Sequence, residues 1–376
     1  MSLYWPDAEA DVVLGQPRLH ALVIGVGDYP HLVGGGGHPA VANFGLQQLT
    51  TTPLTGARIA EWLLGSYRNP ACPLGSIELL LSPAARVDRA DGAKIAVEAA
   101  KMDEIRKASK RWRDRCHTHA GNVAWFYFAG HGLTAVKQHL LASDFGDPNV
   151  GNLWANSIDV DGLRTGMRAN DADTQLFFVD ACREKPIDAL VQLNPNGDPL
   201  CSASLFDQVA SSAAYHAAAD GMKAYGPAND VTFFATALLD ALDGSAAFKQ
   251  QGTWRVDTHF LGAGIAHVLD ILRLVHGEPL TCNPDPDGKV ATIHFPDPPL
   301  IRAAVYCQTK QANDESTISL QRGADPPVSS AAGEKRPWTG RVGLGSWDIN
   351  FTFQSFPPVT RKEEAAPPVL RWEEPI

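Results

Sequence analysis

Two hydrophobic periods alternate along the first two-thirds of the chain. Short, mostly apolar runs predict buried strands at His20–Val26, Ile77–Leu81, Asn122–Phe128 and Gln175–Val179, and a fifth strand is predicted near Ser211–Ala219. Between them, helical spacing of apolar positions predicts helices at Thr55–Leu64, Lys94–Cys116 and Phe233–Leu242. Strands that show no polar alternation are typical of parallel sheets covered on both faces. The pattern therefore predicts an α/β fold, a three-layer αβα sandwich with a mostly parallel central sheet.

The last third of the chain has a different pattern. Thr258–Leu274 has helical spacing, but prolines cluster after Pro279 and helical periodicity fades. Short strands are predicted at Ala303–Gln308, Thr317–Leu320, Arg341–Gly345 and Trp347–Phe353. The charged, proline-rich stretch Pro357–Ile376 predicts a flexible tail. We therefore predict a first domain over residues 1–275 and a small, Pro-rich, β-rich C-terminal region over residues 276–376.

Composition narrows the class of protein. The 376 residues carry 32 Lys and Arg against 42 Asp and Glu, and 44% are hydrophobic, which predicts a folded core. A net charge of −10 argues against a nucleic-acid partner, which would need a basic surface. The six cysteines include no CxxC pair, and neither a signal peptide nor a membrane span is recognisable. These features predict a soluble, cytoplasmic protein that binds neither nucleic acid nor membrane.

Two strand ends carry reactive side chains. The strand that ends in Ala129-Gly130 is followed by His131, and the strand that ends in Asp180-Ala181 is followed by Cys182. If these strands are neighbours in a parallel sheet, the imidazole and the thiol meet at one edge. A thiol beside an imidazole is suited to nucleophilic acyl transfer, since the histidine can take the thiol proton. The amide of Gly132 is then a candidate oxyanion donor.

The same motifs resemble those of a known family. Cys182 follows His131 by 51 residues, a spacing typical of caspases. Between Leu19 and Gly244 the chain resembles a bacterial member of the caspase-like cysteine peptidases, which include caspases, metacaspases and paracaspases. The resemblance is carried by LVIGVGDYP at Leu22–Pro30, YFAGHG at Tyr127–Gly132, LLASD at Leu140–Asp144, VDACRE at Val179–Glu184 and FFATALLDALDG at Phe233–Gly244.

This resemblance implies a role for each site residue. Cys182 would be the nucleophile and His131 the catalytic histidine, with the amides of Gly132 and Cys182 binding the oxyanion. Asp180 would line the S1 pocket, which predicts cleavage after a basic P1 residue, Arg over Lys. Metacaspases also carry an acid at the start of the first helix, where this chain has Thr55–Arg58. Arg58 leaves open an acidic P1 preference.

The family resemblance also predicts how the chain is organised and regulated. A large-subunit-like part would cover about 15–185, a linker about 184–206 and a small-subunit-like part about 207–275. If the linker is nicked on activation, the chain is a zymogen, a regulated protease in a bacterial stress, cell-death or antiviral pathway. Its partners would be a protein substrate and, in that setting, an activating protein. A non-catalytic interaction module with the same fold is the alternative.

Weaker patterns predict no cofactor and no metal. Gly25-Val26-Gly27 lacks the third glycine of a dinucleotide-binding turn. Cys116, His117 and His119 lack a fourth zinc ligand. Metacaspases often need calcium, but the aspartates at Asp285–Asp287 match no EF-hand loop. The basic run Lys101–Arg115 is interrupted by acids, which is typical of a solvated helix face.

Overall fold

The computed structural model of the chain describes residues 2–84, 86–89, 91–185, 195–202, 209–330 and 337–376. These residues form two compact units. The first comprises residues 1–235 and 281–291, and the second comprises residues 236–280 and 292–376. The domain boundary predicted at residue 275 stays a prediction.

The first unit contains a long sheet and short hairpins. Its strands are β1 (Leu3–Trp5), β2 (Leu19–Val26), β3 (Leu74–Ser82), β4 (Arg86–Asp88), β5 (Lys94–Ala96), β6 (Val123–Gly130), β7 (Gly132–Thr134), β8 (Gln138–Leu141), β9 (Ser157–Asp159), β10 (Thr174–Ala181) and β11 (Ser211–His216). The next two strands, β12 (Phe248–Gln250) and β13 (Thr253–Asp257), belong to the second unit. The strand after them, β14 (Asn283–Gly288), belongs to the first unit. The remaining strands belong to the second unit: β15 (Thr292–His294), β16 (Leu300–Cys307), β17 (Thr317–Gln321), β18 (Val328–Ser329), β19 (Trp338–Gly343), β20 (Gly345–Thr352), β21 (Val359–Ala365) and β22 (Val369–Glu374).

Six α-helices accompany these strands in the part of the chain that the structure describes. They are α1 (Thr51–Gly65), α2 (Met102–Cys116), α3 (Val160–Met167), α4 (Phe233–Asp243), α5 (Leu261–His276) and α6 (Lys310–Glu315). The sequence pattern predicted a helix over Lys94–Cys116, and its predicted start is wrong, because Lys94–Ala96 pairs with Arg86–Asp88 as a hairpin. The helix begins at Met102 because the carboxylate of Asp144 accepts its amide hydrogen at 2.9 Å.

The central sheet has seven strands in the order β1-β3-β2-β6-β10-β11-β14. The five inner strands run parallel, and β1 and β14 pair antiparallel at the two edges. Consecutive residues of β6 face opposite sides: Trp125 stacks on Trp62 of α1 at 6.3 Å, and Phe126 lies 6.3 Å from Trp112 of α2. Helices therefore cover both faces, which confirms the predicted αβα sandwich.

The second unit confirms the predicted C-terminal β-rich region. Two sheets, β19-β16-β22 and β18-β17-β20-β21, pack their apolar faces together, with Ile301, Val305, Ile349 and Phe351 almost fully buried. Where the composition predicts a flexible tail, residues 357–376 form β21 and β22 instead. The reason is burial: Leu370 joins this core, and β22 pairs in parallel with β16.

Among the described residues, no helix is both long enough and apolar enough to cross a membrane.

Candidate active site

Strand register places the two residues that carry reactive groups level with each other at one edge of the sheet. Strands β6 and β10 are neighbours in the centre of the sheet, and they pair so that Ala181 lies opposite Gly130. His131 and Cys182 are the next residues on each strand, at the carboxyl edge of the sheet. The two positions are therefore level with one another, as the sequence predicts.

A single cavity of about 390 Å³ brings together three of the predicted site residues. His131, Asp180 and Cys182 all line it. The other lining residues are uncharged: Gln48, Leu49, Thr50, Thr51, Thr52, Gly130, Ala224, Tyr225, Gly226, Ala228 and Thr232. All belong to the first unit, and together they enclose a space large enough for an extended side chain.

Hydrogen bonds hold the imidazole of His131 in one orientation. Its Nε2 donates to the backbone carbonyl of Gln47 at 2.6 Å, which leaves Nδ1 of the neutral ring as a proton acceptor. Its backbone amide donates to the hydroxyl of Tyr29 at 2.8 Å, and the two rings lie 4.9 Å apart. Burial lowers the pKa of His131, although the Gln47 carbonyl opposes this shift. The ring is therefore neutral at pH 7 and available as a base.

The thiol of Cys182 lies against the backbone of Ala224, whose carbonyl oxygen is 4.0 Å from Sγ. Its Sγ accepts a hydrogen bond from the amide of Ala224 at 3.3 Å. Burial raises the pKa of Cys182, and the Ala224 amide opposes the rise because it stabilises the thiolate. At neutral pH the resting group is a thiol, so forming the nucleophile requires a base beside it.

Asp180 is a carboxylate at the floor of the cavity, only 2% exposed. Its Oδ2 accepts hydrogen bonds from the hydroxyl of Tyr127 at 2.8 Å and from the hydroxyl of Thr232. Burial raises the pKa of Asp180 to about 6, while these two donors hold it down. Asp180 is the only carboxylate among the described residues that line this cavity, and no Lys or Arg lies among them to compensate its charge.

Gly132 lies on β7, beside Cys182 but outside the cavity lining. A Cβ atom added to Gly132 would lie 2.4 Å from the carbonyl oxygen of Cys182 and 2.9 Å from the side chain of Ala181. Such a contact is closer than packed atoms allow, so only glycine lets the two backbones approach this closely. The amide predicted to bind an oxyanion is therefore next to the thiol-bearing residue.

Other side chains singled out by the sequence lie away from this cavity. Arg58 is half-exposed on α1 and pairs with Glu61 at 3.6 Å, and it does not line the cavity. The aspartates considered for calcium pair with arginines instead, Asp285 with Arg164 at 2.5 Å and Asp287 with Arg168 at 2.6 Å.

The candidate metal cluster is also dispersed. Cys116 is fully buried, His117 lies 3.4 Å from Asp171, and Nδ1 of His119 accepts the amide hydrogen of Gly121. Within the described ranges, no group of three or more His, Cys, Asp or Glu side chains is placed to hold a metal ion.

Several groups that contact the predicted site residues were not singled out by the sequence. The carbonyl of Gln47 and the amide of Ala224 are backbone groups, which every residue carries, so no sequence pattern could single them out. Tyr127 and Thr232 have a weak signal. Tyr127 lies on β6 diagonally opposite Asp180, so a correct strand register would have placed them close together.

The predicted linker at 184–206 lies largely outside the described residues. The described parts of it are residues 184–185 and 195–202, and the second of these is held by Asp198. Its amide donates to the Ser157 carbonyl at 2.7 Å, and its carboxylate accepts from Arg106 at 2.6 Å. Whether the linker is cleaved stays a prediction.

Comparison with known proteins adds the family. The family model described as the caspase domain, peptidase C14, matches residues 18–255. An uncharacterized protein of Sinorhizobium fredii is 27% identical over 215 residues, which are 55% of this chain and 61% of that protein. The chain thus spans about three-fifths of that relative's length. The crystal structure of caspase-1 from Spodoptera frugiperda is 13% identical, with a TM-score of 0.40 over 75% of this chain and 94% of that one.

Proposed function

The chain belongs to the caspase-domain family of peptidases, peptidase C14, and we propose that it is a cysteine endopeptidase with Cys182 as nucleophile and His131 as general base. The observation that carries this proposal is the register of β6 and β10, which puts both side chains in one cavity. The neutral imidazole and the protonated thiol complement one another, since each pKa is shifted by burial toward the uncharged form. A non-catalytic interaction module would have no need for this pairing.

The proposed reaction passes one proton through His131. As Sγ of Cys182 attacks the scissile carbonyl carbon, Nδ1 of His131 takes the thiol proton, and the carbonyl electron pair moves onto oxygen. The amides of Gly132 and Cys182 would donate hydrogen bonds to that oxyanion. His131 then gives its proton to the leaving amine as the carbon–nitrogen bond breaks. Water, deprotonated by His131, hydrolyses the thioester and regenerates the thiol.

We propose a basic P1 residue, Arg over Lys, as the substrate. A buried carboxylate without a cation among the described lining residues is suited to bind one, and a guanidinium can do so through two parallel hydrogen bonds. An acidic P1 residue would need a cation there. Arg58, the residue that would supply it, is half-exposed and paired with Glu61.

The wider setting is proposed from the family resemblance. It is a regulated protease in a bacterial stress, cell-death or antiviral pathway, acting in the cytoplasm on protein substrates. The six cysteines carry no disulfide, in agreement with a reducing compartment. We propose that the reaction needs no cofactor, because the thiol, the base and the oxyanion donors are all supplied by the chain.

A substrate panel tests the proposal. Peptides that differ only at P1, carrying Arg, Lys or Asp, are assayed with the wild-type chain and with Cys182→Ala and His131→Ala. We expect cleavage in the order Arg, Lys, Asp, and no cleavage by Cys182→Ala. Activity that survives Cys182→Ala would refute the nucleophile, and a preference for Asp would refute the assignment of Asp180.

A further inference from the structure

One side chain clamps the loop that holds His131. Oε1 of Gln48 accepts the amide hydrogen of Tyr29 at 2.7 Å, and Nε2 of Gln48 donates to the carbonyls of Tyr29 at 3.0 Å and Val33 at 3.1 Å. All three bonds are to backbone, so the carboxamide fixes the path of the chain at 29–33 relative to 47–48. A glutamine is needed for this pattern, because one donor group and one acceptor are used together.

Both groups that orient His131 are attached to this clamp. The carbonyl that accepts from Nε2 belongs to Gln47, the residue immediately before Gln48. The hydroxyl that accepts from the His131 amide belongs to Tyr29, whose own amide and carbonyl both bond to Gln48. Loss of the Gln48 carboxamide would therefore loosen two contacts of His131 without removing either partner.

We propose that Gln48 is a positioning residue for His131, acting through the Gln47 carbonyl and Tyr29. The inference rests on the proposed function, since positioning matters to a reaction in which His131 moves the proton. Gln48 also lines the cavity, so a direct contact with substrate is the competing role.

Three variants separate these roles. Gln48→Ala removes the clamp, and Gln48→Glu keeps the acceptor for Tyr29 while placing a carboxylate against two carbonyl oxygens. Gln250→Ala is the matched control, because the Gln250 side chain is exposed and does not line the cavity. We expect kcat on a P1 Arg peptide to fall about 10- to 100-fold in both Gln48 variants, the size of loss that small misplacement of a catalytic group produces, with KM little changed. Gln250→Ala should match the wild type.

The pH dependence provides a readout that loss of folded protein would not change. The Gln47 carbonyl raises the pKa of His131, so loosening it should move the acid limb of kcat/KM to lower pH in Gln48→Ala. NMR titration of the His131 ring measures the same shift without substrate, so it tests the inference even if no peptide is cleaved. In Gln48→Ala the titratable groups around the ring are those of the wild type: Tyr29, Asp180, Cys182 and Glu184. Gln48→Glu adds a carboxylate, so the ring pKa is compared only among the wild type, Gln48→Ala and the control.

The outcomes are distinct. A lower ring pKa in Gln48→Ala, with no shift in Gln250→Ala, supports the positioning role. An unchanged ring pKa overturns it, as does a rise in KM at constant kcat, which would make Gln48 a substrate contact. A wild-type chain that cleaves none of the P1 peptides would refute the proposed function while the NMR titration still decides the role of Gln48.

A separate observation concerns the linker and the enzyme's own specificity. From Pro186 to Met222 the sequence contains neither Lys nor Arg. Lys185, the last cation before this stretch, is followed by Pro186, whose nitrogen has no hydrogen and whose ring crowds the scissile bond. The backbone of Arg183 is paired on both sides, its amide with the Met222 carbonyl and its carbonyl with the Gly221 amide, each at 2.9 Å.

We infer that the chain does not cleave its own linker, residues 184–206, and that the uncleaved chain is an active peptidase. This deepens the proposed function, because it follows from basic P1 specificity. Purified wild type and Cys182→Ala are followed by intact mass while the wild type is assayed on a P1 Arg peptide. Asn196→Arg, which introduces a cation at an exposed position of the stretch, is the positive control.

Arg-directed activity by a chain of unchanged 40.4 kDa mass supports the inference. Fragments with new ends between 186 and 222 that form in wild type, but not in Cys182→Ala, overturn it. An intact chain that cleaves no Arg peptide also overturns it, and the P1 panel then shows whether the basic specificity itself has failed.

Discussion

The charge of Asp180 should control the preference for arginine in a pH-dependent way. Citrulline has nearly the shape of arginine but no charge, so peptides with P1 Arg and P1 citrulline differ chiefly in their interaction with this carboxylate. The pKa of Asp180 is about 6, so the free enzyme carries the charge at pH 7 and mostly loses it by pH 5. We therefore expect the preference for Arg over citrulline to fall as the pH is lowered.

The size of the effect follows from the buried hydrogen bonds. A charge-assisted hydrogen bond contributes about 1.5–3 kcal/mol, which corresponds to a preference of roughly 10- to 150-fold for Arg at pH 7 and above. With a pKa of about 6, the ionised fraction falls about tenfold between pH 7 and pH 5. If the Arg-to-citrulline ratio of kcat/KM is large at pH 7, it should fall by about the same factor by pH 5. If the ratio is small at pH 7, it should fall only until it reaches one.

The assay is the ratio of kcat/KM for the two peptides, measured from pH 5 to pH 8. Titration of His131 and Cys182 affects both peptides alike and cancels in the ratio, so the remaining midpoint reports Asp180. Thr232→Val removes a hydrogen-bond donor that lowers the pKa of Asp180, and it should move the midpoint to higher pH. Asp180→Asn should bring the ratio close to one at every pH.

Two results would refute this reasoning. A wild-type ratio that stays constant from pH 5 to pH 8 would mean that Asp180 does not carry the charge that selects the substrate. An Asp180→Asn variant that keeps the wild-type ratio would mean that another group binds the P1 side chain.

Three further predictions concern stability and reactivity. Because the pKa of Asp180 is raised in the folded state, the free energy of unfolding of the wild type should fall by about 3 kcal/mol as the pH rises from 4 to above 6. Asp180→Asn should lack this loss, so urea unfolding should show it gaining stability relative to the wild type over that range. Equal pH profiles would contradict this prediction. An Arg-directed acyl-ketone probe should label Cys182 and not Cys201, because burial raises the pKa of Cys201 to about 11. Peptide mapping identifies the labelled residue, and labelling of Cys201 alone would exclude a competent site at Cys182. In the second unit, the carboxylate of Asp240 is 1% exposed and pairs with Arg302 and Arg341, so Asp240→Ala should lower the free energy of unfolding in urea by about 3–5 kcal/mol. Asp314 forms an exposed pair, so Asp314→Ala should lower it by less than about 0.5 kcal/mol. Similar losses in the two variants would refute this prediction.

Strands and their partners show how far the sequence pattern reaches. The five inner strands were predicted because apolar runs without alternation have few other uses in a folded chain. The strand Asn283–Gly288 was missed, since two prolines and two aspartates do not read as a strand. It forms because it pairs with β11 at the sheet edge, where Arg164 and Arg168 bind Asp285 and Asp287.

The candidate site likewise contains residues that the sequence predicted and contacts that depend on the folded backbone. His131, Cys182 and Asp180 were predicted because their side-chain chemistry is distinctive and because the ends of parallel strands meet at one edge. Gln48 has ordinary chemistry, and its role depends on three backbone groups in its loop. Such contacts have no sequence signature.

By itself, the sequence determined the α/β class, the family and the residues that carry reactive groups, because periodicity and side-chain chemistry are local properties. Only the tertiary structure decided their protonation and orientation. Burial sets the direction of the pKa shifts of His131, Cys182 and Asp180, and burial is a property of the whole packed fold. The Gln47 carbonyl and the Ala224 amide reach the site from loops distant in sequence, so their contribution exists only once the chain has folded.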